Sequence, residues 1–414
     1  MKNKISPRTI YLAFSGATAL LFSLVFTISS IYYIEIIGLT ALQLVLVGTV
    51  LEIVYFLFEV PTGVVADVYS RRLSIIIGTL LTGVAFILEG SIPVYLFVLV
   101  SQILWGLGAT FLSGATEAWI ADFLSEDQLE KTYIRAAQVG QVCGLFGIGV
   151  SVALATVSIQ LPIILAGMLF ILLGALLLAF MPESIFTPLA SKELNTWGKM
   201  VSTFSSGLRT VKKSNVLTII FLITLVTGLA SEGFDRLWTA HFIENFSFPQ
   251  IMDLPLVIWF GIINGFGMIV SIISSQVMIK KLESNEGVKS AGVLFFINLF
   301  HIFSIFIFAR AGNFSVALVS YWSIYMLRTI NSPIYSALIA KNVQPSIRST
   351  VISSEGQVNS LGQIIGGPII GIVASRLSIS AGILTTSAIL LPSIFLYMLI
   401  LRAYVRKQVP VITS

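Results

Sequence analysis

The chain has 414 residues, of which 56% are hydrophobic and only 10% charged, and its mean hydropathy is +0.97. Soluble domains carry about 25% charged residues, so this composition excludes a soluble globular protein and predicts a chain that folds in lipid. The formal net charge of +5 does not require nucleic acid as a partner, because the basic residues flank apolar runs. Cys143 is the single cysteine, which excludes a disulfide framework and a cysteine metal site, and no metal or cofactor is expected.

Apolar runs of membrane-spanning length recur along the whole chain. A helix needs about 20 apolar residues to cross a bilayer, and helices satisfy their own backbone groups in hydrocarbon. The first run is too long for a signal-peptide core and is predicted to remain as a helix. Division at polar breaks predicts twelve spans, at residues 9–36, 41–65, 73–91, 93–120, 133–157, 159–181, 215–240, 254–279, 290–308, 315–340, 354–375 and 378–402.

The longest polar interval separates six spans from the next six. It predicts an N-terminal six-helix bundle at 1–182, a cytoplasmic linker at 183–214 and a C-terminal six-helix bundle with a cytoplasmic tail at 215–414. The fold class predicted is all-α, with two pseudo-symmetric bundles around a central cavity.

A weak internal repeat supports two related halves. Ala118-Trp-Ile-Ala-Asp122 resembles Ala337-Leu-Ile-Ala-Lys341, and Gln138-Val139 returns at the same offset as Gln357-Val358. This offset superposes span four on span ten and span five on span eleven. It also places Asp67 on Glu286, in the loop between spans eight and nine.

The basic residues predict the orientation. With the N-terminus in the cytoplasm, the inside segments hold all of the 24 lysines and arginines except Arg236, Arg310, Arg328 and Arg376. Positive charge concentrates on the cytoplasmic side of membrane proteins. The sequence therefore predicts a multi-pass protein of the plasma membrane with both termini in the cytoplasm.

Span two carries two acids on one helical face. Gly48, Glu52, Tyr55 and Glu59 recur at the spacing that aligns side chains along a helix. A charge inside a span costs several kcal/mol, about 2.5–3.5 by insertion scales, so this face is expected to look into the protein or a wet cavity. Glu52 and Glu59 could exchange a proton near neutral pH or hold a cationic substrate. The alternatives are a packing contact for Glu52 and a role in shaping the helix end for Glu59.

Span seven carries Glu232, Asp235 and Arg236 towards its outer end. Glu232 and Arg236 are four residues apart and could pair along the helix. The alternative is a carboxylate at the mouth of a transport pathway. His241 is expected to be exposed beyond this span, and His301 of span nine to be a hydrogen-bonded core histidine.

Span ten carries Arg328 at its midpoint, together with Tyr321, Trp322 and Tyr325. An arginine keeps its charge in a protein, so Arg328 must pair with an acid, face water or bind an anion. Aromatic side chains around one charge suit a pocket for flat organic molecules. A structural salt bridge to Glu232 or Glu52 is the alternative.

The loop after span two carries Gly63, Asp67, Arg71 and Arg72, and Asp122 closes span four on the same side. The form G-x-x-x-D-x-x-x-R-R resembles the loop motif of the major facilitator superfamily of transporters. The segments Phe58-Glu59-Val-Pro61-Thr-Gly63 and Ser113–Asp122 resemble bacterial drug-efflux members of the macrolide and tetracycline exporter type. The resemblance implies that Asp67, Arg71 or Arg72, and Asp122 form a charge cluster that latches one conformation.

Three positions depart from the pattern of that family. Ser70 stands where glycine usually precedes the arginine pair, and Gln102 stands where span four often has an arginine. The Gly-Pro pair of the exporter motif in span five is absent and occurs instead as Gly367-Pro368 in span eleven. Antiport is therefore supported less directly than the fold.

The function predicted is secondary active transport, namely proton-coupled efflux of lipophilic small molecules or drugs by alternating access, with antibiotic resistance as its consequence. The proton and substrate site is predicted to comprise Glu52, Tyr55, Glu59, Glu232, Asp235, Tyr325 and Arg328. No enzyme motif or phosphate-binding loop occurs, and a monomer is expected. One alternative is a metabolite permease or symporter, with Arg328 binding an anionic solute. Another is a membrane receptor or assembly subunit that transports nothing.

Overall fold

The computed structural model describes residues 5–183, 214–250, 253–282, 287–343 and 348–408, together with the isolated residues 198, 205 and 211. Every regular element in this part of the chain is helical. The twelve long helices are α1 (Pro7–Ile37), α2 (Ala41–Val68), α3 (Arg71–Ser91), α4 (Tyr95–Ala121), α5 (Glu126–Ala155), α6 (Leu161–Phe180), α7 (Asn215–Asn245), α8 (Leu256–Leu282), α9 (Gly287–Arg310), α10 (Phe314–Lys341), α11 (Arg348–Arg376) and α12 (Ile379–Gln408).

Two of these helices are interrupted. Helix α1 consists of Pro7–Phe26, the single turn Ser29–Ile31 and a π-helical turn, Tyr32–Ile37. Helix α4 is broken between Leu112 and Ala115. The other helices follow the predicted spans, but several extend beyond the apolar run; α5 begins at Glu126 and α11 at Arg348.

Eleven of the twelve helices are long enough and apolar enough to cross a membrane. The remaining one, α10, has 28 residues, but Arg328, Asn331 and several hydroxyl side chains lower its hydropathy. The all-α, multi-pass membrane fold predicted from the sequence is confirmed.

The chain forms two compact units. Unit 1 contains residues 1–39, 50–200 and 250–265, and unit 2 contains residues 40–49, 201–249 and 266–414. Within unit 1, α1 packs on α5, and α3 packs on α4 and α6. Within unit 2, α7 packs on α11, and α9 packs on α10 and α12, which are the same helix pairs shifted by six.

This correspondence agrees with the internal repeat. The boundaries predicted at 182 and 214 stay a prediction. Most of the predicted linker, and Glu286, lie outside the described residues.

Glycines permit close helix contacts in unit 1. A Cβ on Gly108 of α4 would stand 2.7 Å from the carbonyl oxygen of Gly78 of α3, and a Cβ on Gly83 of α3 would stand 2.9 Å from that of Gly167 of α6. Small residues let helix backbones approach in membranes, where packing rather than the hydrophobic effect holds helices together. These contacts fix α3 between its two neighbours.

Candidate functional site

A cavity of about 690 Å³ lies within unit 1. Helices α1, α2 and α4 line it, and we call it the aromatic cavity because six of its lining side chains are aromatic. Ser15, Thr18, Ser113, Thr116 and Glu117 add polar groups. Ligand pockets of about 300–1,000 Å³ with mostly apolar walls and a few polar groups are typical of small-molecule sites. The aromatic residues are Tyr11, Phe14, Phe22, Phe26, Tyr55 and Trp105.

Trp105 contributes an indole N–H group to the aromatic side of the cavity. Its ring lies 5.1 Å from that of Phe26 and 5.9 Å from that of Phe86. The indole Nε1 is buried and has no hydrogen-bond partner among the described residues. A buried donor without a partner costs about 1–3 kcal/mol, so an acceptor brought to this N–H would be favoured. Because the nitrogen is shielded in this structure, a bound molecule would reach it only after the Trp105 ring moves.

The break in α4 between Leu112 and Ala115 positions the polar residues that line the cavity. Gly114 has φ +69, a left-handed conformation that favours glycine because other side chains clash there. The chain then resumes as the helical segment Ala115–Ala121, whose first turn carries Glu117. Trp119 of the same segment is buried and donates from Nε1 to the carbonyl oxygen of Pro182 at 3.1 Å.

Asp122 ends this segment and contacts Arg71. The Arg71 guanidinium pairs with the Asp122 carboxylate and donates to the carbonyl oxygen of Ala118 at 3.2 Å. Asp67 lies 3.9 Å from Arg71, on the more exposed side. The predicted loop acid, loop arginine and span-four acid therefore meet in one cluster. A Cβ added to Gly63 would meet nothing within 4 Å, so packing does not require glycine there.

Arg72 takes a different partner from Arg71. It donates to the carbonyl oxygen of Leu178 at 2.6 Å and lies 3.6 Å from the Glu183 carboxylate. Ser70 Oγ donates to Glu183 at 2.5 Å and accepts from the Leu73 N–H, which caps the first turn of α3. The serine that departs from the family motif thus caps the helix and holds Glu183.

The acids of span two flank Tyr55 as predicted. The carboxylates of Glu52 and Glu59 lie close enough to interact electrostatically with the Tyr55 phenol, and Glu52 interacts with Glu59. Tyr55 lines the aromatic cavity. The side chains of Glu52, Tyr55 and Glu59 therefore lie near one another along α2, as their spacing in the sequence predicts.

In unit 2, Glu232 pairs with Arg236 along α7. Arg236 Nε lies 3.2 Å from Glu232 Oε2, and Glu232 is buried. Gly48 of α2 lies directly against this pair, because a Cβ built on it would overlap both the carboxylate and the guanidinium. The pairing predicted from the four-residue spacing is present.

Arg328 of α10 pairs with Asp235 of α7. Both guanidinium NH groups donate to the two carboxylate oxygens, the second at 2.9 Å, so the pair is bidentate. The predicted salt bridge of Arg328 exists, but its partner is Asp235 rather than Glu232 or Glu52. The Arg328 guanidinium also lies 5.9 Å from the ring centroid of Phe234.

The aromatic residues of span ten pack on other aromatic rings, and the described residues form no large pocket at this pair. Tyr321 stacks on Trp238 with ring centroids 4.4 Å apart, and Tyr325 stacks on Tyr321 at 6.3 Å. The cavity that Arg328 lines has a volume of about 30 Å³. That is about the space of one water molecule, so it does not admit a flat organic molecule in this structure.

The two histidines differ from expectation. His241 was expected to be exposed, but it is 1% exposed, and its Nε2 lies 3.0 Å from the carbonyl oxygen of Phe308. The reason is that α7 continues to Asn245, beyond the predicted end of the span. His301 was expected to be hydrogen-bonded, but its buried Nε2 has no partner among the described residues and faces the 30 Å³ cavity beside Arg328.

Glu89 of α3 is a buried acid that was not predicted from the sequence. It is 1% exposed and accepts hydrogen bonds from Tyr33 Oη at 2.8 Å, Ser101 Oγ at 2.9 Å and Gln102 Nε2 at 3.1 Å. Tyr32 Oη donates to the backbone carbonyl oxygen of Glu89 at 2.8 Å, so Glu89 anchors the π-helical turn of α1 through its main chain as well as through its carboxyl group. Gln102, the residue that replaces an arginine of the family pattern, serves here as a neutral donor.

Glu355 of α11 was also missed. It lines a second cavity of about 250 Å³ within unit 2, together with Asn331, Tyr335 and Asn359. Its Oε1 accepts from Thr224 Oγ1 at 2.9 Å. Both missed acids lie near a predicted end of a span, where a charge is unremarkable in the sequence. No group of three or more acids, histidines or cysteines in the described part of the chain is placed to hold a metal ion.

Comparison with known proteins assigns the fold. The chain is 24% identical over 364 residues to the MFS-type transporter YxaM of Bacillus subtilis (strain 168), and the match covers 87% of each chain. Among solved structures it resembles a mutant of the nucleoside transporter NupG, with a TM-score of 0.75, 14% identity and coverage of 98% of this chain and 100% of that one. It also resembles the peptide transporter POT in complex with sulfate, with a TM-score of 0.76, 14% identity and coverage of 97% and 94%.

At these identities the structural neighbours establish the fold and leave the substrate open. The family model described as Major Facilitator Superfamily matches residues 10–353, which is most of the chain. The chain belongs to the major facilitator superfamily of membrane transporters.

Proposed function

We propose that this transporter exports lipophilic small molecules that carry a hydrogen-bond acceptor and a positive charge, driven by protons. The observation that carries this proposal is the aromatic cavity. Its rings offer stacking and cation–π contacts, Trp105 offers an unused N–H, and Glu117 offers a carboxylate. A lipophilic cation with an acceptor group would meet all three.

The acids of α2 are the first candidates for the proton site of unit 1. Glu59 forms no ion pair among the described residues and interacts electrostatically with Tyr55, which lines the aromatic cavity. Glu232 and Asp235 each hold an arginine, so a proton could bind there only after an ion pair is broken. Substrate and proton would compete around Tyr55, and binding of one would change the population of states available to the other.

Asp67, Arg71, Arg72, Asp122 and Gly63 are proposed to act as a conformational latch, separate from substrate binding. The Arg71–Asp122 contact joins the start of α3 to the end of α4. Breaking it during transport would release the two helix ends from each other. The latch would then set the rate of conformational change and leave the affinity for substrate unaffected.

The proposed setting is the plasma membrane, with both termini in the cytoplasm and one chain as the working unit. The support for this orientation is the concentration of lysine and arginine in the segments that would face the cytoplasm. The support for a monomer is that both halves of the fold belong to one chain.

The alternative is a permease or symporter in which Arg328 binds an anionic solute. Neighbours that transport nucleosides and peptides keep this alternative open. In this structure Arg328 holds Asp235 through two hydrogen bonds, so an anion would have to displace that carboxylate. If it does, Arg328→Gln should abolish binding of an acidic solute and spare neutral ones.

Growth of cells with and without the protein, on a panel of antibiotics and cationic dyes, tests the export proposal. The proposal expects resistance to several aromatic cations, and expects Trp105→Phe to weaken it for compounds whose acceptor meets the indole N–H. Trp105→Phe keeps an aromatic ring and removes the donor, which separates hydrogen bonding from stacking. Equal growth with and without the protein across the panel would contradict export of such compounds.

A further inference from the structure

The carboxyl group of Glu355 is set apart from those of Glu232 and Asp235, two acids of α7 in unit 2 that form ion pairs. Glu232 and Asp235 each lie against an arginine. Glu355 forms no ion pair within the described residues, and no lysine, arginine or histidine is among the residues that line its cavity. A carboxylate inside a membrane-spanning bundle requires a compensating partner, and no charged side chain among the described residues that line this cavity supplies one.

The hydrogen-bond partners of Glu355 form a chain across three helices. Thr224 Oγ1 of α7 donates to Glu355 Oε1 of α11 at 2.9 Å, and Tyr335 Oη of α10 lies 2.8 Å from Thr224 Oγ1. Tyr335 Oη also lies 2.8 Å from the carbonyl oxygen of Ile220, to which it can donate. Thr224, the middle group of the chain, is 2% exposed, whereas Tyr335 and Glu355 are half-buried and line the cavity.

The hydrogen-bond chain of Glu355, Thr224 and Tyr335 can satisfy every hydroxyl donor in either protonation state of Glu355. When the carboxyl group is ionised, Tyr335 donates to Thr224, and Thr224 donates to Glu355. When a proton is bound, the Glu355 hydroxyl donates to Thr224, Thr224 donates to Tyr335, and Tyr335 donates to the Ile220 carbonyl oxygen. Each hydroxyl donates once in both states, because a hydroxyl group can rotate to serve as donor or acceptor.

The cavity supplies the route for the proton. Its volume of about 250 Å³ holds several water molecules, since one takes about 30 Å³ in the liquid. The titratable groups that face the cavity beside Glu355 are Tyr335 of α10 and Tyr397 of α12, while α7 contributes the neutral Thr224 and Thr227. A proton from cavity water would add to Oε1 and leave by the same route.

We infer that Glu355 is a proton-binding site of unit 2, with Thr224 and Tyr335 as a reversible hydrogen-bond chain that serves both of its protonation states. The site stands on its own geometry, whereas its use in driving transport rests on the proposed function. Because the chain joins α7, α10 and α11, binding of a proton reverses hydrogen bonds on three helices at once.

Infrared difference spectroscopy of the full-length protein in liposomes, as a function of pH, tests this inference directly. Wild type should show a carboxyl C=O band that titrates, and Glu355→Gln should remove it. Glu244→Gln, which removes an exposed acid of α7, is the matched control and should leave the band in place. Thr224→Val keeps the carboxyl group and removes its donor, so it should move the titration midpoint by about one to two pH units.

The outcomes separate this site from the proposed function. Loss of the band in Glu355→Gln together with a shifted midpoint in Thr224→Val would support the proton-binding site. Wild-type transport that does not respond to a pH gradient would overturn proton coupling and leave the evidence for the site intact. A band unchanged in Glu355→Gln overturns the site even if wild-type transport follows the gradient. If Glu355→Gln does not fold, an unmoved midpoint in Thr224→Val overturns the site by itself.

A transport measurement adds an independent readout. If Glu355 also takes part in coupling, Glu355→Gln should lose uphill transport driven by a pH gradient and keep substrate counterflow, which needs no net proton movement. Loss of both in a folded variant would contradict a proton-binding role and indicate a structural one.

Discussion

Gly48 of α2 leaves the space that the Glu232 carboxylate of α7 occupies. A Cβ at position 48 would overlap Glu232 Oε2, and the Arg236 guanidinium lies beside it. The glycine of the predicted acidic stripe thus accommodates a buried ion pair on another helix. This relationship gives the stripe a structural role as well as the functional role proposed for its acids.

Gly48→Ala should destabilise the protein by about 1–3 kcal/mol, because overpacking displaces a buried ion pair. Thermal unfolding in detergent, followed by fluorescence, measures this. Gly63→Ala on the same helix is the control, since its Cβ would meet nothing within 4 Å. Equal loss of stability in both variants would show that the contact with Glu232 is not the cause.

Asp122→Asn should slow transport more than Asp67→Asn does. Asp122 is 21% exposed and pairs directly with Arg71, whereas Asp67 is 55% exposed and 3.9 Å away. Exposed pairs contribute about 0.2–1 kcal/mol, and hydrogen bonds to charged groups about 1.5–3 kcal/mol. We therefore expect about a tenfold or larger change in turnover for Asp122→Asn and a few-fold change for Asp67→Asn.

The latch interpretation also predicts that both variants bind substrate with unchanged affinity. Equilibrium binding of a fluorescent substrate to purified protein measures this separately from turnover. Weakened binding in either variant would show that the cluster and the substrate site are not separate.

Arg328→Gln should destabilise the protein, and Asp235→Asn in the same chain should restore part of the loss. The single substitution leaves the carboxylate of Asp235 without its bidentate partner. Residues in direct contact couple by about 0.5–3 kcal/mol in double-mutant cycles. The two single variants and the double variant, compared by thermal unfolding, give this coupling energy, and strictly additive effects would contradict a mutual pair.

Gly114→Ala should cost about 1–2 kcal/mol, because the left-handed conformation at φ +69 is unfavourable for alanine. The strain would fall on the segment that carries Glu117 and Asp122. We expect reduced stability together with reduced transport. Gly149→Ala of α5, where a Cβ would also meet nothing within 4 Å, is a control without positive φ. The same loss in both variants would rule out backbone strain as the cause.

Helix positions and some ion pairs could be predicted from the sequence because they depend on local patterns. The Glu232–Arg236 pair follows from a spacing of four residues on one helix. The meeting of Arg71 with Asp122 was predicted from charges at the ends of neighbouring spans and from the family resemblance. By contrast, the partner of Arg328 depends on how α7 and α10 are rotated against each other, which periodicity does not determine.

The cavities could not be predicted, since each is assembled from helices distant in the sequence. Glu355 is the second residue of the span predicted at 354–375, where a charge would be expected at the membrane surface. The helix instead begins at Arg348, so Glu355 lies about two turns inside it and faces a cavity. Glu89 was overlooked for a similar reason, because it stands next to the predicted end of span three.

Uptake of a fluorescent cationic substrate into inverted membrane vesicles tests the central claim, proton-coupled export, most directly. With a pH gradient that is acidic inside the vesicles, we predict accumulation that collapses when the gradient is dissipated. Vesicles without the protein should show no such accumulation. Accumulation that persists unchanged after the gradient is dissipated would contradict proton coupling.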